Sequence, residues 1–308
     1  MAGSYEFRAP TMDDAAGIAG LMRLIVEADY GDSEEWSERI RLMFQRLDLE
    51  RDAWVVEDPE GTFVAAAAVR VRHPTRIRSF GGVLPEHRGH GLGTELLRRM
   101  ETRARELAEQ APAGEDVWLG HDAASTNQDA KDLLERRGFE LVRHFWKMGI
   151  ELADEPPPAQ WPDGIRLESF QPGDERAVFE ASNDAFQDHW DHQPHEFDEW
   201  RSWMVDRKDF DPSLQLLARD GDEIAGISLC NLDGEEGWVQ VLGVRPPWRR
   251  RGLGEALLLA SFRELRGRGV ARAVLGVDAG NPTGATRLYQ RVGMRVLNQD
   301  DLYRKIVS

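Results

Sequence analysis

The chain has 308 residues, 41% of them hydrophobic, and a formal net charge of −16 at pH 7. That length and apolar content suit two packed domains of ordinary size. The acidic balance argues against nucleic acid as a partner, which needs clustered Lys and Arg. No apolar N-terminal segment or long uncharged run suggests a signal peptide or a membrane span. Cys230 is the only cysteine, so no internal disulfide can form, and the reading is a protein of a reducing cytoplasm.

In chain order, residues 5–9 read as a strand and residues 11–27 as an amphipathic helix with Thr11 at its N-cap. A second helix is expected from about Ser33 to Leu47. Residues 53–58 and 62–71, split by Pro59-Glu60-Gly61, read as a hairpin. A strand over 78–84 then feeds a helix in which Leu92, Leu96, Met100, Ala104 and Leu107 recur at helical spacing. A strand over 116–120, a helix over 127–137 ending at Gly138, and two short strands near 139–143 and 145–152 complete the first half. Residues 153–163 (ADEPPPAQWPD) are proline-rich and aperiodic, as a stiff linker would be.

The same order then restarts. A strand over 165–170 precedes helices over 173–186 and 196–206. A hairpin splits at Gly221-Asp222, and a strand over 237–244 leads into a helix containing Leu253, Leu257 and Ala260. A strand over 271–279, a helix over 281–292, and strands near 294–298 and 302–306 follow. The expected fold is α/β, with α+β character and a mixed sheet. The expected domains are 1–152 and 164–308, joined by the linker 153–163.

A repeated segment supports that division. Residues 83–97 read VLPEHRGHGLGTELL and residues 244–258 read VRPPWRRRGLGEALL. At an offset of 161, Pro85 falls on Pro246, Arg88 on Arg249, Gly91 on Gly252 and Gly93 on Gly254. A glycine loop that ends a strand and opens a helix presents backbone N–H groups at the positive end of the helix dipole, which suits phosphate. A Walker loop would need Gly-Lys-Ser/Thr, but Thr94 and Glu255 follow the last glycines. A dinucleotide fingerprint would need a third glycine after the first strand, but Leu96 and Leu257 stand there.

Arg-x-x-Gly-x-Gly after the fourth strand, followed by helix, strand, Asn and a short helix ending in Gly-Phe or Gly-Met, resembles the GNAT-type N-acetyltransferases. The resemblance covers nearly the whole chain, as two tandem domains. It implies acetyl-CoA as co-substrate, no metal, and a small-molecule amine as acceptor. It places Leu242, Gly243 and Val244 along the pantetheine arm, Arg249, Arg250, Arg251, Gly252, Leu253 and Gly254 at the pyrophosphate, and Asn281 on the cofactor side. Arg88, Gly89, Gly91 and Gly93 are the matching set of the first half.

The resemblance also implies Tyr289 as general acid for the leaving thiolate, and Glu235 or Glu236 as a base, with Asp278 a further carboxylate. Leu134 stands where Tyr289 does, so the second domain is expected to catalyse and the first to be structural, with or without a CoA held in its loop. Transfer is expected by direct attack of a primary amine. Acetylation of a protein amine, or a CoA-binding sensor without turnover, are the alternatives, and either a monomer or a homodimer is compatible.

His189, Trp190 and Trp238 are expected at the acceptor. His189, His192 and His195 sit three apart, but Pro194 breaks the helix that would align them on a metal. The layout is also similar to the mycothiol synthase family. Trp238 and Gly276 stand where that likeness implies a glutamate and a tyrosine, so a different amine is expected.

Overall fold

The computed structural model describes residues 4–31, 36–193, 196–281 and 283–308. The first half contains β1 (Glu6–Arg8), α1 (Ala15–Tyr30), α2 (Ser37–Phe44), a single turn α3 (Leu49–Asp52), β2 (Ala53–Glu57), β3 (Phe63–His73), β4 (Arg76–Val83), α4 (Leu92–Ala108), β5 (Trp118–Ala124), α5 (Gln128–Arg136) and β6 (Glu140–Glu151). The second half contains β7 (Ile165–Ser169), α6 (Glu175–Phe186), α7 (Phe197–Met204), β8 (Gln215–Asp220), β9 (Glu223–Asp233), β10 (Glu236–Val244), α8 (Leu253–Gly267), β11 (Arg272–Asp278), α9 (Ala285–Arg291) and β12 (Arg295–Ile306).

Each half ends in one long strand rather than the two short ones expected. Each strand runs unbroken across the expected gap, and Met148 and Tyr303, in their C-terminal halves, are buried.

Two compact units form. One is Met1–His144 with Asn298–Ser308; the other is Phe145–Leu297. Neither follows a single cut at the linker. In unit 1 the strands run β1-β2-β3-β4-β5-β12, and Asp300–Ile306 pair antiparallel with Trp118–Ala124. In unit 2 they run β6-β11-β10-β9-β8-β7, and Phe145–Glu151 pair antiparallel with Arg272–Asp278. The closing strand of each unit therefore comes from the other half of the sequence.

Each sheet is mixed, with one parallel pair: β4 with β5, and β10 with β11. Helices cover both faces, so the central strands are apolar on both sides. Ala65, Ala66, Ala67 and Ala68 of β3 are all buried for that reason. One face of unit 1 packs on Leu92, Leu96, Leu97, Met100 and Ala104 of α4, and the other on Ile18, Met22 and Ile25 of α1. Unit 2 repeats this with α8 on one face and with α6 and α7 on the other.

Candidate active site

In both units the parallel pair holds for only part of its length. In unit 2 the pairing stops at Trp238 opposite Val274, while β10 runs on to Val244 and β11 to Asp278. Beyond that vertex the edge of β10 that faced β11 is left without it. In unit 1 the pairing stops at Ser79 opposite His121, while β4 continues to Val83. The diverging strand then enters the glycine loop.

The two loops share a backbone. Gly91 and Gly252 cap α4 and α8 with φ of 83° in each case, a conformation that costs glycine little. A Cβ on Gly93 would meet Leu133 at 3.3 Å, and one on Gly254 would meet Leu288 at 3.3 Å, so each helix packs closely on the next. The first N–H groups of α8, at Leu253, Gly254 and Glu255, have no carbonyl within the helix. Gly89 and Arg250 hold the same loop position, with φ of 80° and 63°. A non-glycine residue there carries strain that Gly89 avoids. Arg250 and Arg251 are exposed.

The repeated arginines, Arg88 and Arg249, do something else. Arg249 donates from Nε to Val244 O (3.1 Å) and from its terminal nitrogens to Asp188 (2.6 Å) and Ala185 O (3.1 Å). Arg88 donates to Val83 O (3.2 Å) and Asp29 (3.0 Å). Both guanidiniums tie the end of the diverging strand to the C-terminal end of the first helix of their unit.

Gly243 is where α6 meets β10, since a Cβ there would lie 2.7 Å from Ala185 Cβ. His189 follows, its ring 4.4 Å from that of Phe186. Burial, and then His192, hold its imidazole below the usual range, with Asp278 opposing. His189 and Asp278 thus lie at the mouth of the diverging strands, beside Arg249. His195 lies outside the described residues, and among the described residues no group of three His, Cys, Asp or Glu side chains is placed for a metal.

The carboxylates expected as bases sit elsewhere. Glu235 is exposed in the β9–β10 turn. Glu236 begins β10 and is bound by Lys147 (3.0 Å) and Arg272 (3.4 Å), so both its oxygens are committed to cations. Lys147 also stacks over Trp238, 5.2 Å from the ring.

Tyr289 is 7% exposed, in the core with Leu258, Val277 and Met294. Burial pushes its phenol up to about 12. Met294 N donates to Tyr289 O as Phe139 N does to Leu134 O, each at 3.0 Å, so Tyr289 and Leu134 occupy one position. Asn127 and Asn281 differ. Asn127 caps α5 and donates to Asp29 (3.2 Å), whereas Asn281 accepts from Thr283 N (2.8 Å) and Oγ1 (2.6 Å).

The units part company at the vertex. In unit 1, Arg78 of β4 pairs with Asp122 of β5, and Asp29 joins Arg88 to Asn127 across the mouth. Strand pairing puts Trp238 and Gly276 of unit 2 at the places of Arg78 and Asp122. A Cβ at Gly276 would meet open space. The β9–β10 ladder also shifts register between Val239 and Val241, leaving Gln240 as an extra residue at the vertex; the matching shift in unit 1 lies away at Val71/His73, beside the turn. A bulge twists the local strand and re-aims its backbone. Gln240 escaped the sequence reading because the constant offset of 161 hides one extra residue in β10, balanced by the extra residue Arg72 in β3.

The family model of the acetyltransferase (GNAT) family matches residues 19–139 and 176–294. A mycothiol acetyltransferase of Streptomyces bingchenggensis is 32% identical over 301 residues, covering 92% of this chain and 91% of that one. One of Saccharopolyspora erythraea is 34% identical over 220 residues, covering 68% and 70%. A solved GCN5-related N-acetyltransferase of Sphaerobacter thermophilus is 38% identical, with a TM-score of 0.87 over 98% of this chain and 96% of that one. A tandem GNAT protein from the clavulanic acid biosynthesis pathway shares the fold at 16% identity, with a TM-score of 0.73 over 99% of both chains.

Proposed function

The chain belongs to the acetyltransferase (GNAT) family, and from that premise we propose that unit 2 transfers an acetyl group from acetyl-CoA to a primary amine of a small molecule, while unit 1 is structural. The observation that carries this reading is the open vertex of unit 2, where an unpaired strand edge runs straight into the Gly252 loop. The vertex of unit 1 is instead bridged by Arg78–Asp122, and Asp29 there also holds Asn127.

The residues fit the donor. N–H groups of Leu253, Gly254 and Glu255 face out at the positive end of α8, with exposed Arg250 and Arg251 beside them, a setting for pyrophosphate. The edge of Leu242 and Gly243, up to Val244 whose carbonyl Arg249 holds, suits an extended, amide-bearing arm. The Asn281 side chain is taken up by its own turn, accepting from Thr283 N and Oγ1. A backbone N–H at the Gln240 bulge is placed to polarise the thioester carbonyl as it gains charge.

Tyr289 stays protonated across the working pH range, because its phenol is raised to about 12. A thiol ionises near 8.5, so full transfer of the phenol proton to the thiolate is uphill by roughly 3.5 pH units. Its task is to donate a hydrogen bond to the leaving sulfur. His189 and Asp278 at the mouth take the ammonium proton through water. Glu236 positions β10 through Lys147 and Arg272 instead of serving as base.

The mycothiol acetyltransferase relatives make a mycothiol-related acceptor the first compound to assay. Trp238 and Gly276 favour another amine. Native mass spectrometry with acetyl-CoA tests the division of labour: one molecule bound per chain, lost in Arg250→Glu/Arg251→Glu and retained in His90→Glu, is the expected result. Two molecules bound would return unit 1 to the binding role, and none would remove the acetyl-transfer reading.

A further inference from the structure

Unit 1 carries no step of the transfer above, yet it concentrates positive charge beside its vertex. Arg70 of β3 and Arg78 of β4 lie directly opposite each other in the antiparallel ladder. Both fall on the strand face that Ala66 and Phe80 present to α1 and α2. Like charges in that relation are destabilising. Unit 2 does not repeat the pair: strand pairing puts Asn231 opposite Trp238 at the same places.

The arginines of this face are unequally answered. Arg78 lies across Gly120, where a Cβ would come 3.0 Å from its Cδ, and donates to Asp122. Arg76, on the same face of β4, donates to Thr75 O (3.1 Å) and Thr75 Oγ1 (2.8 Å) and stacks on Trp118. Among the described residues, no hydrogen bond or ion pair holds the Arg70 guanidinium. Arg70 is exposed, so a solute can reach it. Enough protein still crowds it that desolvation, then the charges of Arg72 and Arg78, hold its guanidinium down to about 10, and Arg39 adds to the fall. Asp122, the acid that opposes this, is already spent on Arg78. At neutral pH Arg70 therefore keeps its charge, with a second arginine as its nearest cross-strand neighbour. A carboxylate matches one guanidinium fork. A phosphate carries more charge and more terminal oxygens, so two arginines can answer it at once.

We propose that Arg70 and Arg78 form a phosphate site on unit 1, apart from its glycine loop, which takes a phosphate dianion either free or as the ester of a small molecule. The site stands whether or not unit 2 transfers acetyl groups. The test is calorimetric titration of the full chain at low ionic strength and about pH 8, where phosphate is a dianion. Inorganic phosphate and acetate are the probes, with CoA present to occupy the glycine loop of unit 2. Phosphate is expected to bind at least tenfold more tightly than acetate. Arg70→Gln is expected to weaken phosphate at least tenfold. In phosphate-free buffer that variant should melt no earlier than the wild type, because it relieves the repulsion from Arg78. His90→Glu, which changes the glycine loop of unit 1 and not this face, is expected to keep phosphate binding. Glycerol 3-phosphate binding more tightly than inorganic phosphate makes an ester the ligand, and the reverse order makes it free phosphate; either supports the site. No saturable phosphate binding, equal binding of acetate, binding that survives Arg70→Gln, binding lost in His90→Glu, or an Arg70→Gln protein that melts earlier overturns the proposal.

Discussion

Tyr289 and Leu134 show how one side chain separates two copies of the same backbone. They share the carbonyl bond to the residue after the helix-ending glycine, and both are buried. Only the phenol can donate to a leaving sulfur. Tyr289→Phe should therefore lower kcat by about 10²-fold or more, the usual scale for a positioned acid, with little change in the KM for acetyl-CoA. Because the phenol titrates at about 12, the wild-type rate should show no loss attributable to it from pH 6 to 10. A fall in that window that disappears in the Phe variant would overturn the assignment. Arg249 and Arg88 carry a complementary lesson. In a phosphate loop an arginine invites a phosphate role, yet both spend their donors on backbone carbonyls and on aspartates. Cys230 is another quiet residue: burial pushes its thiol up to about 11, which suits a core position and not a nucleophile.

Among the elements, α4 and α8 look alike in sequence but hold different strands. Glu101 of α4 is fully buried and bound by Lys305 of β12 (3.0 Å) and by Arg137, while Lys305 also reaches Arg137 O (2.6 Å). The offset of 161 puts Phe262 of α8 at the place of Glu101, in the same apolar cluster as Ile150 of β6. Burial alone would raise the Glu101 carboxyl, but Arg137 and Lys305 outweigh it and hold the carboxyl below its usual range. The sign follows: a depressed folded pKa gives stability that is present above the unfolded value, near 4.3, and lost as pH falls through the folded one. Glu101→Gln should flatten the acid loss of stability. Glu101→Ala should cost about 3–5 kcal/mol at pH 7, since it leaves cations around a buried site. Thermal unfolding between pH 3 and 7 checks both, and an unchanged acid slope in the Gln variant would count against the ion cluster.

For the molecule as a whole, the exchanged strands decide what can be cut. Unit 1 needs Asn298–Ser308 and unit 2 needs Phe145–Glu151. Chains 1–152 and 153–308, made separately, should self-associate or unfold, because each lacks its closing strand and leaves Glu101 without Lys305 or Phe262 without Ile150. Co-expression should restore a stable, soluble pair. Size-exclusion chromatography and melting temperatures read the outcome; a monomeric, fully stable half would show that the exchange is dispensable. No helix among the described residues is long and apolar enough to cross a membrane.

Much of this was legible in the one-dimensional pattern. Helical spacing, turn glycines and the repeated Arg-x-x-Gly-x-Gly marked the elements and their duplication, because these depend on local backbone preference and on the period of apolar residues; the family followed from what that repeat resembles. The one-turn α3 and the continuous β6 and β12 were missed, since a four-residue helix has no period and strand ends depend on their neighbours. Three-dimensional packing settled the rest. Which strand closes which sheet turns on whether a residue meets Glu101 or Phe262, and Lys305 reaches Glu101 from 204 residues away. The Gln240 bulge is a matter of register between strands, which no single strand encodes. The same holds for the roles of Arg249 and Glu236: their residue types suggested phosphate and proton chemistry, and their neighbours in space gave them structural work.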